Sequence, residues 1–380
     1  MSGGVLFWVQ HLLGSGHLRR TAALAHATAA LGIEATIASG GMPLSHLDTG
    51  PARLVQLPPL RAGDAGFTAL IDDRGLPAGD AVMAQRRALL EALVGETRPR
   101  VVVTETFPFG RRSLRTEVLA LLAAAEALPE APLVVASVRD ILQRETRPDR
   151  IATMIETAQA RYDAVLVHGD PALVRLEESF PAATLLGERV IHTGYIATGR
   201  AAARTSGGPG SDEVIVSVGG GAVGERLLAA AAAARPLSRL AAALTWRLLA
   251  GDAGLARHDL KPQSGLVIEP NRADFPALLA NCAVSVSQAG YNTVTDLFAA
   301  GARAVLVPFA GQGETEQSER ANHLARKGLA VVVAEDRLDP AALAAAVDEA
   351  LALPSLSPGM LDLDGAAASA RLLEAWVRHG

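Results

Sequence analysis

The sequence predicts an α/β protein made of two doubly wound, Rossmann-like parallel-sheet domains of similar size that face each other across a cleft. Three observations carry this expectation. Short continuous runs of Val, Leu and Ile alternate with long alanine- and leucine-rich stretches, the pattern of strands covered by helices on both faces. The alternation restarts after Thr205-Ser-Gly-Gly-Pro-Gly-Ser-Asp212, whose composition is that of a linker. Finally, 380 residues that are 49% hydrophobic and 20% charged suffice for two cores.

Taken in order, strands are expected near 4–9, 34–38, 53–57, 100–105, 133–137, 164–168 and 189–193, with helices over 18–31, 80–96, 113–127 and 150–160. The first domain is therefore placed at 1–204 and the linker at 205–212. A second set of apolar runs follows at 214–218, 244–248, 266–268, 284–286, 304–307 and 330–333, which places the second domain at 213–355. The Pro/Ser/Gly segment at 353–359 precedes a last helix at about 364–378. Within a segment 356–380, that helix is expected to cross back and brace the first domain.

Composition narrows the function. The net charge is −5 and no Lys/Arg block occurs, so no nucleic-acid partner is implied. The single cysteine, Cys282, forms no internal disulfide and suits a reducing compartment. Val5-Leu-Phe-Trp-Val9 is too short for a signal peptide, has no basic residue before it, and no apolar run reaches membrane-spanning length. A soluble, cytoplasmic protein is expected, with peripheral membrane contact compatible with its apolar loops. No His-Glu-x-x-His motif, cysteine cluster or Asp-x-Asp loop appears, so neither a metal nor a cofactor is expected.

In open α/β sheets ligands bind beyond the carboxyl ends of strands, so those loops hold the candidates. After the first strand, Gly14 and Gly16 allow a tight turn, and His17 falls in the first turn of the next helix. After the fourth strand, Thr104-Glu-Thr-Phe-Pro-Phe-Gly-Arg-Arg112 brings a carboxylate, two aromatics and two arginines to one strand end. There Glu105 either faces substrate or pairs with an arginine. Arg139 and Asp140 end the next strand and could pair with each other or face substrate. His168 ends another. Three glycines, Gly219, Gly220 and Gly221, follow the strand that opens the second half, as in a phosphate nest; the missing Gly-Lys-Ser/Thr ending argues against an ATPase.

The most informative stretch is Ser287-Gln-Ala-Gly-Tyr-Asn-Thr293, with Val307-Pro308 and Glu314-Thr-Glu-Gln-Ser-Glu-Arg-Ala-Asn322 after it. A glycine turn there aims backbone N–H groups and the positive end of a helix at one point, which suits phosphate. Glu316 and Gln317 fall near the same mouth, where acceptors and donors suit sugar hydroxyls.

These residues resemble the two-domain sugar-nucleotide glycosyltransferases of the GT-B type. Among them the chain is most similar to the branch containing the N-acetylglucosaminyltransferase that completes the lipid-linked peptidoglycan precursor. Ser287 to Asp296 follows that family's Ser-x-x-Gly-x-x-Thr-x-x-Glu stretch, with Asp296 in place of Glu, and Glu316-Gln317 and Arg320-Ala321 follow its sugar-binding loop. The Gly14–His17 turn is also similar to related nucleotide-sugar hydrolases. The resemblance implies an inverting, metal-independent hexosyltransferase using a UDP-sugar, of the UDP-N-acetylglucosamine kind, and an acceptor that is a small molecule or lipid-linked.

By the same resemblance Gly290, Asn292 and Thr293 hold the diphosphate, Asp296 the ribose, and Glu316 and Gln317 the sugar; Gln288, Gly14, Gly16 and Gly219 to Gly221 are also placed on the donor side. Arg111 and Arg139 are acceptor-side candidates. The base is one of His17, Glu105 and Asp140; His17 leads because a helix N-terminus opposes its protonation, unless it only bonds the turn or a donor phosphate. A nucleotide-sugar hydrolase or epimerase, or a nucleotide-sugar-binding regulator, are the alternatives. No arginine occurs in Thr193-Gly-Tyr-Ile196, where the family carries one.

Overall fold

The computed structural model describes residues 3–63, 69–199, 202–218, 224–250, 262–311, 314–357 and 359–379. The chain divides into two compact units, residues 1–196 with 364–380, and residues 197–363.

In the first unit the described residues form a seven-stranded sheet in the order β3-β2-β1-β6-β7-β8-β9, every pair parallel. The strands are β1 (Val5–Val9), β2 (Ala35–Ser39), β3 (Arg53–Gln56), β6 (Val101–Glu105), β7 (Leu133–Arg139), β8 (Ala164–His168) and β9 (Val190–His192). Between β3 and β6 a two-stranded antiparallel hairpin pairs β4 (Arg61–Ala62) with β5 (Leu70–Ile71), a feature too short for the sequence to signal.

All five residues of β1 are buried, and they alternate between two cores. Leu6 and Trp8 join Val102, with Leu90 and Leu93 of α2 (Asp80–Thr97) and Val118 and Leu121 of α3 (Arg115–Glu126). Val5, Phe7 and Val9 join Val101 and Val103, with Leu18 and Ala25 of α1 (Gly16–Ala30) and Leu373 and Val377 of α11 (Gly365–His379). This two-residue period, apolar on both phases, is what a parallel strand under two helical layers requires. α4 (Pro148–Arg161) covers the first core, and a short α5 (Leu176–Ser179) follows β8.

The last helix is thus part of the first unit. Its start is pressed against the chain at 194–195. Gly365 N–H donates to Tyr195 O at 3.0 Å, and a Cβ at Gly365 would lie 2.2 Å from Gly194 O. Only glycine permits that approach.

The second unit holds a six-stranded parallel sheet among its described residues, in the order β12-β11-β10-β13-β14-β15. Its strands are β10 (Glu213–Ser217), β11 (Thr245–Leu249), β12 (Leu266–Glu269), β13 (Val284–Ser287), β14 (Ala304–Leu306) and β15 (Val331–Val332). Val214 and Val216 pack with Leu227 and Leu228 of α6 (Gly224–Ala234) and with Leu343 and Val347 of α10 (Pro340–Ala352). The other helices are α7 (Phe275–Asn281), α8 (Tyr291–Ala300) and α9 (Glu316–Arg326).

The Gly/Ser-rich segment at 205–212 lies inside this unit. Thr205 N–H donates to Asn281 Oδ1 at 2.7 Å, and Asn281 Nδ2 donates to Pro209 O at 3.0 Å. One buried amide on α7 therefore ties down what composition marks as a linker.

Each sheet reverses its strand order once, between β1 and β6 in the first unit and between β10 and β13 in the second. The loops leaving these neighbouring strands diverge and open a crevice at their carboxyl ends.

Candidate active site

In the first unit the reversal brings the start of α1 beside the end of β6. His17 is the second residue of α1 and Glu105 the last of β6. His17 Nδ1 lies 2.9 Å from Glu105 Oε1. The imidazole is 16% exposed and the carboxylate 1%, so only the histidine reaches solvent.

Glu105 is the acceptor at the centre of a polar cluster. Arg20, one helical turn beyond His17, donates to Oε1. Ser137 Oγ on β7 donates to Oε2 at 2.6 Å. Burial alone would raise the carboxyl, but the Arg20 charge and the hydrogen bonds from His17 and Ser137 outweigh it and hold the group well below the usual carboxylate range. Glu105 is therefore an anion fixed by donors and is not available to take a proton from a substrate.

The cluster continues inward. Ser137 Oγ lies 2.9 Å from His168 Nε2, and His168 Nδ1 lies 2.9 Å from Thr193 Oγ1. His168 is fully buried, and burial, with Arg20 nearby, pushes its imidazole down to about 3, so it is neutral. Since the Ser137 hydroxyl donates to Glu105, it accepts from His168 Nε2–H, and His168 Nδ1 accepts from Thr193. The same carboxylate assigns the proton of His17 to Nδ1 and leaves Nε2 as a lone-pair acceptor. Burial, and then the Arg111 charge, lower the His17 pKa well below its ordinary value; its position in the first turn of α1 acts in the same sense. The result is a neutral imidazole, oriented by a carboxylate, whose other nitrogen makes no hydrogen bond among the described residues.

Asp140 lies on the loop side of β7, next to Arg139. It is fully buried and accepts from Tyr195 OH at 2.8 Å, with Gly169 packed against it. Arg111 and Arg139 do converge on the His17 side. Arg111 Nε donates to Gln10 O at 2.7 Å, and burial, then the Arg139 charge, bring its guanidinium down to about 10. A Cβ at Gly14 would meet nothing within 4 Å among the described residues beyond its chain neighbours, and Gly16 is the first residue of α1.

Sequence reasoning missed a second buried network beneath the β1 loop. Arg86 Nε donates to Glu117 Oε2 at 2.6 Å, Trp8 Nε1 to Glu117 Oε1 at 3.0 Å, and Arg86 Nη2 to Gln10 Oε1 at 2.9 Å. Arg86 and Glu117 are fully buried. The network fixes Gln10, and through it Arg111.

In the second unit the turn after β13 meets the start of α8. Gly290 is the N-cap of α8 and supplies no side-chain cap to its first turn. Asn292 Oδ1 and Ser287 Oγ are buried and unpaired, and Thr293 flanks Gly290, its Oγ1 3.6 Å from where a Gly290 Cβ would be. Gln317 Oε1 accepts from both Ala289 N–H and Phe309 N–H, each at 3.2 Å, which ties the β13 turn to the loop after β14. Its Nε2 makes no hydrogen bond among the described residues.

Glu316 is buried and accepts from Arg320 Nη2 at 2.8 Å, while Arg320 Nη1 donates to Ala289 O at 2.9 Å. Glu316 therefore braces the turn through Arg320. Gln288 lines a shallow, open pocket with Arg226, Val307, Phe309 and Glu335. Asp296, on the second turn of α8, faces Gly199, where a Cβ would lie 2.5 Å from its Oδ1. Burial raises its carboxyl to about 6, and it makes no hydrogen bond among the described residues. Gly219, Gly220 and Gly221 lie outside the described residues.

Comparison with known proteins agrees with this geometry. Residues 215–358 match the family described as the glycosyltransferase family 28 C-terminal domain. Two curated relatives are UDP-N-acetylglucosamine–N-acetylmuramyl-(pentapeptide) pyrophosphoryl-undecaprenol N-acetylglucosamine transferases. The one from Limosilactobacillus reuteri is 30% identical over 25% of this chain and 26% of its own. The one from Methylibium petroleiphilum is 39% identical over 19% of each. The match thus spans about a quarter or less of the relatives' length.

Among solved structures, the calicheamicin glycosyltransferase CalG4 superposes over 100% of this chain and 99% of its own, with a TM-score of 0.64 and 16% identity. Acinetobacter baumannii MurG superposes over 99% of both, with a TM-score of 0.58 and 15% identity. No helix among the described residues is long and apolar enough to cross a membrane. The chain has the GT-B glycosyltransferase fold, and through its second unit it is related to the glycosyltransferases of family 28.

Proposed function

We propose that the protein is an inverting glycosyltransferase that needs no metal ion and moves a sugar from a UDP-sugar, of the UDP-N-acetylglucosamine type, to a hydroxyl group of an acceptor. The observation that carries this reading is the His17–Glu105 pair, a largely buried neutral imidazole that still reaches solvent and whose proton is held on the nitrogen facing a buried carboxylate. The family 28 match over the second unit supports the donor side.

In the reaction the acceptor O–H gives its proton to His17 Nε2 as its oxygen bonds to the anomeric carbon. The bond from that carbon to the diphosphate oxygen breaks, and its electron pair leaves with the nucleotide diphosphate. Attack from the face opposite the leaving group inverts the centre. The uncapped first turn of α8 presents N–H groups and the positive helix end to the departing charge. Gln317 Nε2 serves the sugar hydroxyls, and Asp296, as a carboxylate, the ribose. Glu105 and Glu316 act through His17 and Arg320. The relatives named for a pyrophosphoryl-undecaprenol acceptor match over a quarter of this chain or less, so their acceptor is not carried over to this chain.

A screen of UDP-sugars against candidate acceptors, read as nucleotide diphosphate release in the presence of EDTA, tests the reading. Release that depends on an acceptor supports transfer. Free sugar formed without an acceptor assigns a hydrolase, and isomerised donor an epimerase. If no nucleotide diphosphate or nucleotide sugar shifts the melting midpoint, the donor assignment fails.

A further inference from the structure

The loop after β6 ends in a cation that the transfer step as derived above does not use. Arg111 has φ of 60°, and Thr106 at the other end of the loop has φ of 71°. Both are left-handed conformations that residues other than glycine rarely adopt, and the surroundings must enforce them. Phe107 and Phe109 anchor the loop in the core, and Thr104 Oγ1 donates to Phe107 O at 2.9 Å. Arg111 Nε donates to Gln10 O, while the Gln10 side chain is held by Leu60 O at 2.8 Å and by Arg86.

The guanidinium is therefore clamped along one edge. Its terminal nitrogens make no hydrogen bond, and Arg111 makes no ion pair, among the described residues. The nearby carboxylate, Glu105, already accepts from Arg20, His17 and Ser137. Asp140 is turned to Tyr195. Arg139 adds a like charge close enough to disfavour that of Arg111. The Glu105 charge offsets this only in part, and a partly buried guanidinium next to a second arginine, with no ion pair of its own among the described residues, is unfavourable. A forked pair of N–H donors is the group that best matches a two-oxygen anion.

We propose that Arg111 is the acceptor-side oxyanion position: the molecule that receives the sugar carries a carboxylate or phosphate group near its nucleophilic hydroxyl, and Arg111 grips that group beside His17. This rests on the reading of the first unit as the acceptor side. The bound anion also offsets the arginine charge that presses His17 toward its neutral form, so the base gains proton affinity once substrate is present.

The test reads binding without turnover, so it stands or falls apart from the transfer reaction. The full chain is titrated with inorganic phosphate, and separately with acetate, at constant ionic strength set by chloride. The His17 imidazole NMR signal, identified by its loss in His17→Ala, is followed with and without saturating UDP. One or both anions should move that signal saturably and raise its titration midpoint, with UDP present as well as absent. Which anion binds more tightly separates a phosphate-bearing from a carboxylate-bearing acceptor. Arg111→Gln should weaken the effect by about tenfold or more. If that variant does not fold, Arg111→Lys, which keeps charge but loses the fork, should still bind more weakly than wild type. The proposal is overturned if neither anion moves the signal, if Arg111→Gln folds and responds like wild type, or if UDP displaces the anion, which would assign the position to the donor.

Discussion

Asp296→Asn should make the ligand-free protein more stable and its nucleotide binding worse. Asp296 is half-buried without a hydrogen-bond partner among the described residues, and burial raises its carboxyl from 3.8 to about 6. At about 1.4 kcal/mol per pH unit, the ionised group costs the fold up to about 3 kcal/mol. Partial solvent access reduces this to about 1–3 kcal/mol. The sign follows from the direction of the shift. Between 3.8 and about 6 the folded state binds more protons than the unfolded one, so this residue's contribution to stability falls as pH rises through that window. The penalty is complete above it and absent below it.

The assay is thermal or urea unfolding of Asp296→Asn and wild type at pH 8 and pH 4.5, with calorimetry of UDP binding at pH 8. The variant should melt several degrees higher at pH 8, with most of that gain gone at pH 4.5. UDP should bind it about tenfold or more weakly, since a charge-assisted hydrogen bond contributes about 1.5–3 kcal/mol. Equal stability at pH 8, or a gain that does not change with pH, would refute the electrostatic argument. Stabilisation with unchanged UDP affinity would remove Asp296 from the donor site alone.

Arg86→Ala leaves Glu117 charged and buried with Trp8 Nε1 as its remaining side-chain donor among the described residues, so it should cost about 3–5 kcal/mol, measured by urea unfolding. Gly365→Ala places a Cβ 2.2 Å from Gly194 O; the last helix should loosen, seen as faster hydrogen exchange in α11 and α1. Glu105→Gln replaces the charged acceptor of His17 Nδ1, and the counter-charge of Arg20, with a neutral amide. It should lower kcat by orders of magnitude and lower stability, with donor Kd little changed.

The sheets were legible because their strands are buried on both faces and so read as continuous apolar runs; β1, β6 and β8 are buried throughout. The hairpin of β4 and β5, two residues each, is too short to have a period. The site was legible in part, because strand ends and helix starts point to crevices, which singles out His17 and Glu105. The partners of those residues were not. Asp140 and Tyr195 are 55 residues apart, and nothing local shows that one covers the other. Arg86 and Glu117 sit on separate helices in patterns that read as solvent-facing, yet both are fully buried. Glu316 and Arg320, four apart on one helix, have the spacing of an ion pair, and that spacing was the available sign that Glu316 is occupied.

The central claim is that His17 removes the acceptor proton while the donor is held elsewhere. Measuring kcat and the donor Kd together for His17→Ala tests it most directly. Loss of a general base should lower kcat by about 10²–10⁴-fold and leave the donor Kd within about twofold of wild type. A wild-type kcat, or a loss that lies in donor Kd instead, would contradict it and make His17 a ligand of the donor phosphate.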